Sequence, residues 1–253
     1  MEIKNQIKQK AQQHFDSVVA IRRHLHQNPE LSKQEKETSE YICSVLDTIE
    51  GVEYQSHVGG YGVYGFVKGK NPSKKTIALR ADMDALPIKE TTKLPFASTK
   101  DGVMHACGHD VHTAILLETI KILSELRDEF EGQVMFIFQQ SEEHYPGGAI
   151  TMINDSMFKD VIPSAIFALH TTPEIEAGKI GIKEGKYMAS TDEIYIEVRG
   201  KGGHGATPDL NIDPIVAASH IVIALQTLVS RNANPILPTT FSVGTFLGEG
   251  RTN

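Results

Sequence analysis

Thiol, imidazole and carboxylate side chains cluster in two short segments of this 253-residue sequence. In MHACGHDVH, Cys107 and His109 stand two residues apart around a glycine, just before a predicted helix. In FIFQQSEEH, Glu142 and Glu143 directly follow an apolar predicted strand. Taken alone, the first pair fits a buried thiol beside a surface histidine as well as two metal ligands, and adjacent acids usually serve only solubility. The density of such residues in these two segments favours a site.

Two further segments place polar residues at the ends of predicted strands. His170 ends the apolar run IFALH, and IALRADMDALP ends with Asp82 and Asp84. Ligands of open α/β sheets bind where strands end. The two aspartates fit a turn or a helix cap as well as a site.

The mixture of donor types indicates the metal and the reaction. Thiolate, imidazole and carboxylate together suit Zn²⁺ or a similar borderline cation, whereas Mg²⁺ and Ca²⁺ prefer oxygen alone. Two consecutive residues that leave a strand point to opposite sides, so one of Glu142 and Glu143 can bind metal while the other faces the reaction. A carboxylate not used as a ligand is the expected general base for water activated by the cation. The donor set therefore predicts hydrolysis.

Other chemistries explain the residues less well. A cysteine protease with Cys107 as nucleophile and His109 or His170 as base leaves the glutamate pair unexplained. A zinc deaminase needs a later pair of cysteines, but the only other cysteine, Cys43, lies upstream. The HEXXH motif is absent.

The hydrophobic pattern predicts alternating helices and strands, and hence an α/β fold. The predicted helices are an N-terminal one ending at Asn28-Pro29, then 38–49, 111–126 and 149–155; the predicted strands are 62–68, 76–80, 133–138 and 165–169.

The chain is predicted to form two domains, 1–185 and 186–253, because its pattern becomes glycine-punctuated around 178–185. In the second domain we expect a strand over 193–199, a helix from Asp213-Pro214 to about Val229 and a strand over 239–246.

Composition excludes several classes of partner. The formal net charge is −7, and neither end carries a basic block, so we expect no nucleic-acid and no membrane partner. Two cysteines are too few for a disulfide framework, and the N-terminus has no apolar leader. These features favour a cytoplasmic protein that acts on small molecules.

Six motifs in the same order together resemble the M20 metallopeptidases, in particular the amidohydrolase branch that acts on N-acyl amino acids, hippurate and auxin conjugates. They are RRHLHQNPELSKQEKETS, ALRADMDALP, MHACGHDVH, FIFQQSEEHYPGGA, ALHTTPEIEAGKIG and GKGGHGATPDLNIDP. The resemblance implies a zinc-peptidase-like catalytic domain with an inserted ferredoxin-like lid that also forms a homodimer. It implies a small N-acyl amino acid as substrate and hydrolysis of its amide.

The resemblance also implies roles for individual residues, which extend over the whole chain. The implied metal ligands are Cys107, His109, Glu143 and His170; Glu142 is the implied general base, Asp84 a supporting acid, His204 an oxyanion-stabilising residue and Asn253 a substrate contact.

A complete family site would hold two divalent metal ions, of Zn, Mn, Co or Ni. The family's last ligand histidine lies beyond the lid, whereas this sequence stops at Asn253, so four of five expected ligands are present and the lid is incomplete. The alternative expectation is therefore a truncated, catalytically impaired member with a residual metal site.

Overall fold

The computed structural model describes residues 2–185, 187 and 190–250. The chain divides into two compact units, residues 1–176 and 177–253.

The first unit contains five α-helices and five strands among its described residues. The helices are α1 (Ile3–Gln13), α2 (Phe15–Gln27), α3 (Lys36–Leu46), α4 (His109–Glu125) and α5 (Gly148–Asn154); the strands are β1 (Val52–Val58), β2 (Gly62–Lys68), β3 (Thr76–Asp82), β4 (Gln133–Gln139) and β5 (Ile166–Ala168). The predicted α/β class is confirmed.

The five strands form one mixed sheet in the order β1-β2-β4-β3-β5. Strands β1, β2 and β4 pair in antiparallel fashion, whereas β3 pairs in parallel with both β4 and β5. The carboxyl ends of β3, β4 and β5 therefore lie at the same edge of the sheet. The chain crosses from β3 to β4 through α4, as a parallel connection requires.

Strand β4 is buried on both faces, which explains its continuous apolar sequence. Phe136 and Phe138 pack in the core with α2, α3 and α4, whereas Met135 and Ile137 belong to a second cluster that includes Met152 of α5. Helices on both faces of the sheet thus fix the strand whose end carries the glutamate pair.

The N-terminal helix differs from the single one predicted, since it is interrupted at His14. His14 Nδ1 lies 3.0 Å from a carboxylate oxygen of Glu118 in α4, and Ser17 also donates to that carboxylate. The apolar periodicity continues across the interruption, so it could not reveal this contact with a residue about a hundred positions away.

In the second unit the described residues contain one α-helix, α6 (Pro214–Thr227), followed by a π-helical turn. The side chain of Asp213 accepts hydrogen bonds from the backbone N–H groups of Ile215 and Val216 and so caps α6, at the predicted start of this helix.

The strands predicted over 193–199 and 239–246 are not formed. Alternating side chains mark an extended segment, but a strand also needs a neighbour that takes up its backbone hydrogen bonds. Within the described part of this unit, the only β-type pairing is an isolated bridge between Lys201 and Ile212. The ferredoxin-like lid remains a prediction.

The stretch Pro214–Asn232 is long and apolar enough to cross a membrane. Core helices of soluble proteins share this length and composition.

Replacing Leu117 of α4 with alanine should destabilise the first unit, because its side chain is almost fully buried in the core. Removing a buried leucine costs about 2–5 kcal/mol through lost burial and the cavity left behind. Urea unfolding monitored by circular dichroism measures the change. The exposed Leu94 supplies the control Leu94→Ala, and equal, small effects of both variants would contradict the assigned core.

Candidate metal centre

The parallel strands bring the separate polar segments together. Asp82 ends β3 and pairs in register with Gln139, which ends β4. Glu142 and Glu143 follow three and four residues later, and His170 comes two residues after β5. Three distant pieces of sequence therefore meet at one edge of the sheet, where α4 also begins.

His109 is the residue common to all parts of this cluster. Three groups of potential metal donors each have their ligand atoms within 4.8 Å of one another: Cys107, His109 and His170; Asp82, His109 and His112; and His109, Glu142 and Glu143. The His109 ring is fully buried, yet neither of its nitrogens has a hydrogen-bond partner. A buried imidazole without partners is costly unless another group completes the site.

The two nitrogens of His109 face different neighbours. Nδ1 lies 3.3 Å from Oδ1 of Asp84, whereas Nε2 lies 3.7 Å from Oε1 of Glu143 and 3.7 Å from Oδ2 of Asp82. Asp84 thus supports the ring from one side and leaves Nε2 directed at the other carboxylates, an arrangement typical of metal-binding histidines.

Cys107 and His170 meet on another side of the cluster. Cys107 Sγ lies 3.4 Å from His170 Nε2, and His170 Nδ1 lies 2.7 Å from the backbone oxygen of Thr171. Because that carbonyl can only accept, Nδ1 carries the proton and Nε2 keeps its lone pair. Thiol and imidazole can therefore both act as donors to a cation between them.

Gly108 is the residue that permits the turn between Cys107 and His109. Its φ of 85° lies in the left-handed region, and a Cβ there would lie 2.3 Å from Oγ1 of Thr171. Glycine alone meets both demands at low cost. Its presence lets Cys107 precede α4 while His109 occupies the first position of that helix.

His112 lies in the cluster but is already engaged at both nitrogens. Nδ1 lies 2.6 Å from Oδ1 of Asp82, and Nε2 accepts the backbone N–H of Thr171 at 3.0 Å. In this conformation His112 therefore links the end of β3 to the segment after β5 and has no lone pair left for a metal. Sequence reasoning missed this role, although the spacing of His109 and His112 places them on one helix face.

The charges around the cluster explain its titration. Burial lowers the pKa of His109, but the nearby carboxylates of Asp84, Asp82 and Glu143 outweigh it, so the pKa is raised. Burial favours protonation of Asp82, but His112, Arg80 and His109 outweigh it and lower the pKa to about 2. The site holds ionised carboxylates in a confined space and so favours a cation.

The same surroundings make Cys107 a poor nucleophile. Burial, followed by the neighbouring Glu143 and Glu142 carboxylates, raises the pKa of its thiol to about 12. Reactive cysteines need a lowered pKa, so the cysteine-protease interpretation is disfavoured. A bound cation reverses this effect, because a coordinating thiol loses its proton.

Two predicted site residues, His204 and Asn253, do not belong to the first unit. His204 belongs to the second unit, where its Nδ1 accepts the backbone N–H of Ala206 at 3.0 Å. Asn253 lies outside the described residues.

Residues 78–245 match the model of peptidase family M20/M25/M40. The chain belongs to this family. Its family segment includes most of β3, the Cys107–His109 turn, the glutamate pair and His170.

Three relatives illustrate the similarity of this M20/M25/M40 member. It is 46% identical over 230 residues to an N-acetyldiaminopimelate deacetylase of Bacillus cytotoxicus, covering 91% of this chain and 60% of that one. It is 43% identical to an N-acyl-L-amino acid amidohydrolase of Geobacillus stearothermophilus, covering 96% and 65%. The crystal structure of Bacillus subtilis YxeP, a dinuclear metal-binding peptidase of the M20 family, superposes with a TM-score of 0.65 at 39% identity, covering 84% and 56%. This chain thus spans less than two thirds of the length of each of these three proteins.

Cys107 in the chelator-treated protein should react slowly with iodoacetamide at about pH 8, because a thiol of raised pKa stays protonated there. The rate should rise steeply towards alkaline pH. Glu143→Gln removes a neighbouring negative charge and should therefore lower the thiol pKa and accelerate alkylation at about pH 8. Mass spectrometry of a Cys43→Ser background follows Cys107 alone.

A wild-type rate equal to that of a free cysteine, whose pKa is about 8.5, would contradict this electrostatic description.

Proposed function

We propose that the protein is a metal-dependent amidohydrolase that cleaves the amide of N-acyl amino acids into a carboxylic acid and an amino acid. The observation that carries this proposal is the buried His109 ring, which makes no hydrogen bond and has thiol, imidazole and carboxylate donors around it. The names of the deacetylase and amidohydrolase relatives support the N-acyl amino acid as substrate class.

The proposed ligands are Cys107, His109, Glu143 and His170, with Asp84 orienting His109. This assignment uses Nε2 of both histidines. It agrees with the hydrogen bond that keeps a proton on His170 Nδ1, which donates it to the backbone oxygen of Thr171. The dinuclear site of the Bacillus subtilis structure supports two divalent ions per complete site, of the Zn, Mn, Co or Ni class. A bound divalent cation lowers the pKa of water and polarises the acyl oxygen.

Glu142 is the proposed general base. Burial and the adjacent Glu143 charge raise its pKa, which brings a carboxylate closer to the working range of a base at neutral pH. It would take a proton from the attacking water and return it to the amide nitrogen as the carbon–nitrogen bond breaks. Water and amide are thereby converted to acid and amine with no other reactant.

The second unit supplies the remaining parts of the proposal. His204 would stabilise the oxyanion, Asn253 would contact the substrate carboxylate, and the lid would form the homodimer. A cytoplasmic location without nucleic-acid or membrane partners completes the proposal, and the net charge of −7 disfavours polyanions.

The alternative is a catalytically impaired member that keeps a residual metal site. The chain spans 60% of the length of its deacetylase relative. Amine release from N-acetyl and N-benzoyl amino acids by the Zn²⁺-, Mn²⁺- or Co²⁺-loaded chain distinguishes the two. Metal binding without amine release would establish the alternative.

Changing Glu142→Gln should lower turnover by about 10²–10⁴-fold, because a positioned general base contributes that factor. Metal content should stay at the wild-type value. The matched variant Glu143→Gln should instead lose metal, since an amide is a weaker ligand than a carboxylate. Metal content is measured by inductively coupled plasma mass spectrometry after desalting.

A Glu142→Gln protein that loses metal while Glu143→Gln keeps it would reverse the two assignments.

A further inference from the structure

The loop between α2 and α3 contacts the turn that carries the glutamate pair. Glu35, at the end of this loop, is fully buried. Its Oε1 accepts the backbone N–H of Ser141 at 2.6 Å and the Ser141 hydroxyl at 3.1 Å. Ser141 immediately precedes Glu142 and Glu143.

Ser141 has a backbone conformation that needs support. Its φ of 51° lies in the left-handed region, which a residue with a Cβ adopts only at a cost. The Ser141 hydroxyl oxygen accepts the backbone N–H of Lys33 at 2.9 Å, and the Ser141 carbonyl accepts the N–H of Gly148 at 3.0 Å. Every hydrogen-bonding group of Ser141 is thus engaged, two of them by Glu35.

The same loop is also linked to the next part of the turn, through the carboxylate of Asp84. The hydroxyl of Ser32 donates to Oδ2 of Asp84 at 2.6 Å, and the backbone N–H of Glu143 donates to that oxygen at 3.0 Å. Carboxylates therefore hold the backbone N–H groups of Ser141 and Glu143, on either side of Glu142.

The side chain of Glu35 does not stabilise the helix that it precedes. It occupies the N-cap position of α3, where a side chain normally accepts a hydrogen bond from the first turn, but it makes no such bond. Glu30 does so instead, since its Oε2 accepts the backbone N–H of Thr38 at 2.7 Å and the Thr38 hydroxyl at 2.9 Å. Glu35 also keeps its second oxygen, Oε2, buried without a partner.

We infer that Glu35 is a positioning residue that holds Ser141 in its left-handed conformation and thereby directs Glu142 and Glu143 towards His109. This inference rests on the proposed function, because it assigns the pair to metal binding and proton transfer. Glu35 touches neither metal nor substrate, and it acts through the backbone of Ser141. Its loss lets Ser141 relax towards ordinary backbone angles, which turns the following carboxylates away from the site.

Glu30 provides a matched control. Both glutamates are buried in the same loop, and each accepts one backbone N–H and one hydroxyl from a single residue. They differ in the element they hold, since the Glu30 side chain serves α3 and the Glu35 side chain serves the turn after β4.

The experiment compares Glu35→Leu, Glu35→Asp and Glu35→Gln with Glu30→Leu in the full chain. Co²⁺ affinity is measured by competition with a chelator, using the absorption bands of bound Co²⁺. Amide hydrogen exchange of peptides covering 139–147 and 36–42 is followed without metal. Thermal unfolding of each variant records its stability.

We expect Glu35→Leu to weaken Co²⁺ binding by about 10–100-fold, the usual effect of removing a partner outside the ligand shell. Glu35→Asp, which keeps the carboxylate on a shorter side chain that cannot reach Ser141 without movement, should weaken binding in the same direction. Glu35→Gln keeps an acceptor oxygen and should bind Co²⁺ nearly as the wild type does. Exchange should accelerate over 139–147 in Glu35→Leu and over 36–42 in Glu30→Leu, whose Co²⁺ affinity should not change.

Wild-type Co²⁺ affinity in both Glu35→Leu and Glu35→Asp would overturn the inference. So would an equal loss of affinity in Glu30→Leu, because the effect would then follow stability rather than position. A wild-type chain that binds no Co²⁺ would instead refute the proposed metal site, and unchanged exchange over 139–147 in Glu35→Leu would by itself refute the support of Ser141.

Discussion

The parallel pairing of β3 with both β4 and β5 is the constraint on which the candidate site depends. It brings Asp82, the turn after β4 and His170 to one edge of the sheet, although nearly ninety residues separate the first from the last. Helix α4 begins at that edge, and its first residue is His109. A different strand order would scatter the same side chains over several surfaces.

Buried negative charge then gives this edge its chemical character. The carboxylates around His109 raise the imidazole pKa and keep the neighbouring thiol protonated. Neither effect suits nucleophilic catalysis by cysteine. The negative charge that causes both effects favours binding of a divalent cation, which would offset the repulsion between the carboxylates. The outer partners Asp84, His112 and Glu35 restrict the positions that the inner donors can take.

The local parts of this arrangement could be predicted from the sequence. The helical pattern predicted 111–126 where α4 spans His109–Glu125, and strand β2 has the predicted bounds. Both elements are set by neighbouring residues, through apolar periodicity and a turn glycine. Clustering of unlike donor residues likewise sufficed to single out Cys107, His109 and the glutamate pair.

The remaining features depend on contacts between distant residues. The bond between Glu35 and Ser141 spans 106 positions and that between His112 and Thr171 spans 59, so no local pattern reveals them. Strand order is equally non-local, and β1, in which four of the seven residues are polar, lacks the apolar pattern of β2. The strands predicted over 193–199 and 239–246 are wrong, because alternation of side chains does not show whether a neighbouring strand is present.

Anomalous X-ray diffraction from a crystal of the chain loaded with Zn²⁺ or Co²⁺ would locate the metal directly. We expect an anomalous peak bonded to Nε2 of His109, with Cys107, Glu143 and His170 among the ligands of the bound ions and Glu142 unbound. A peak remote from His109, or one bonded to Glu142 in place of Glu143, would contradict this assignment.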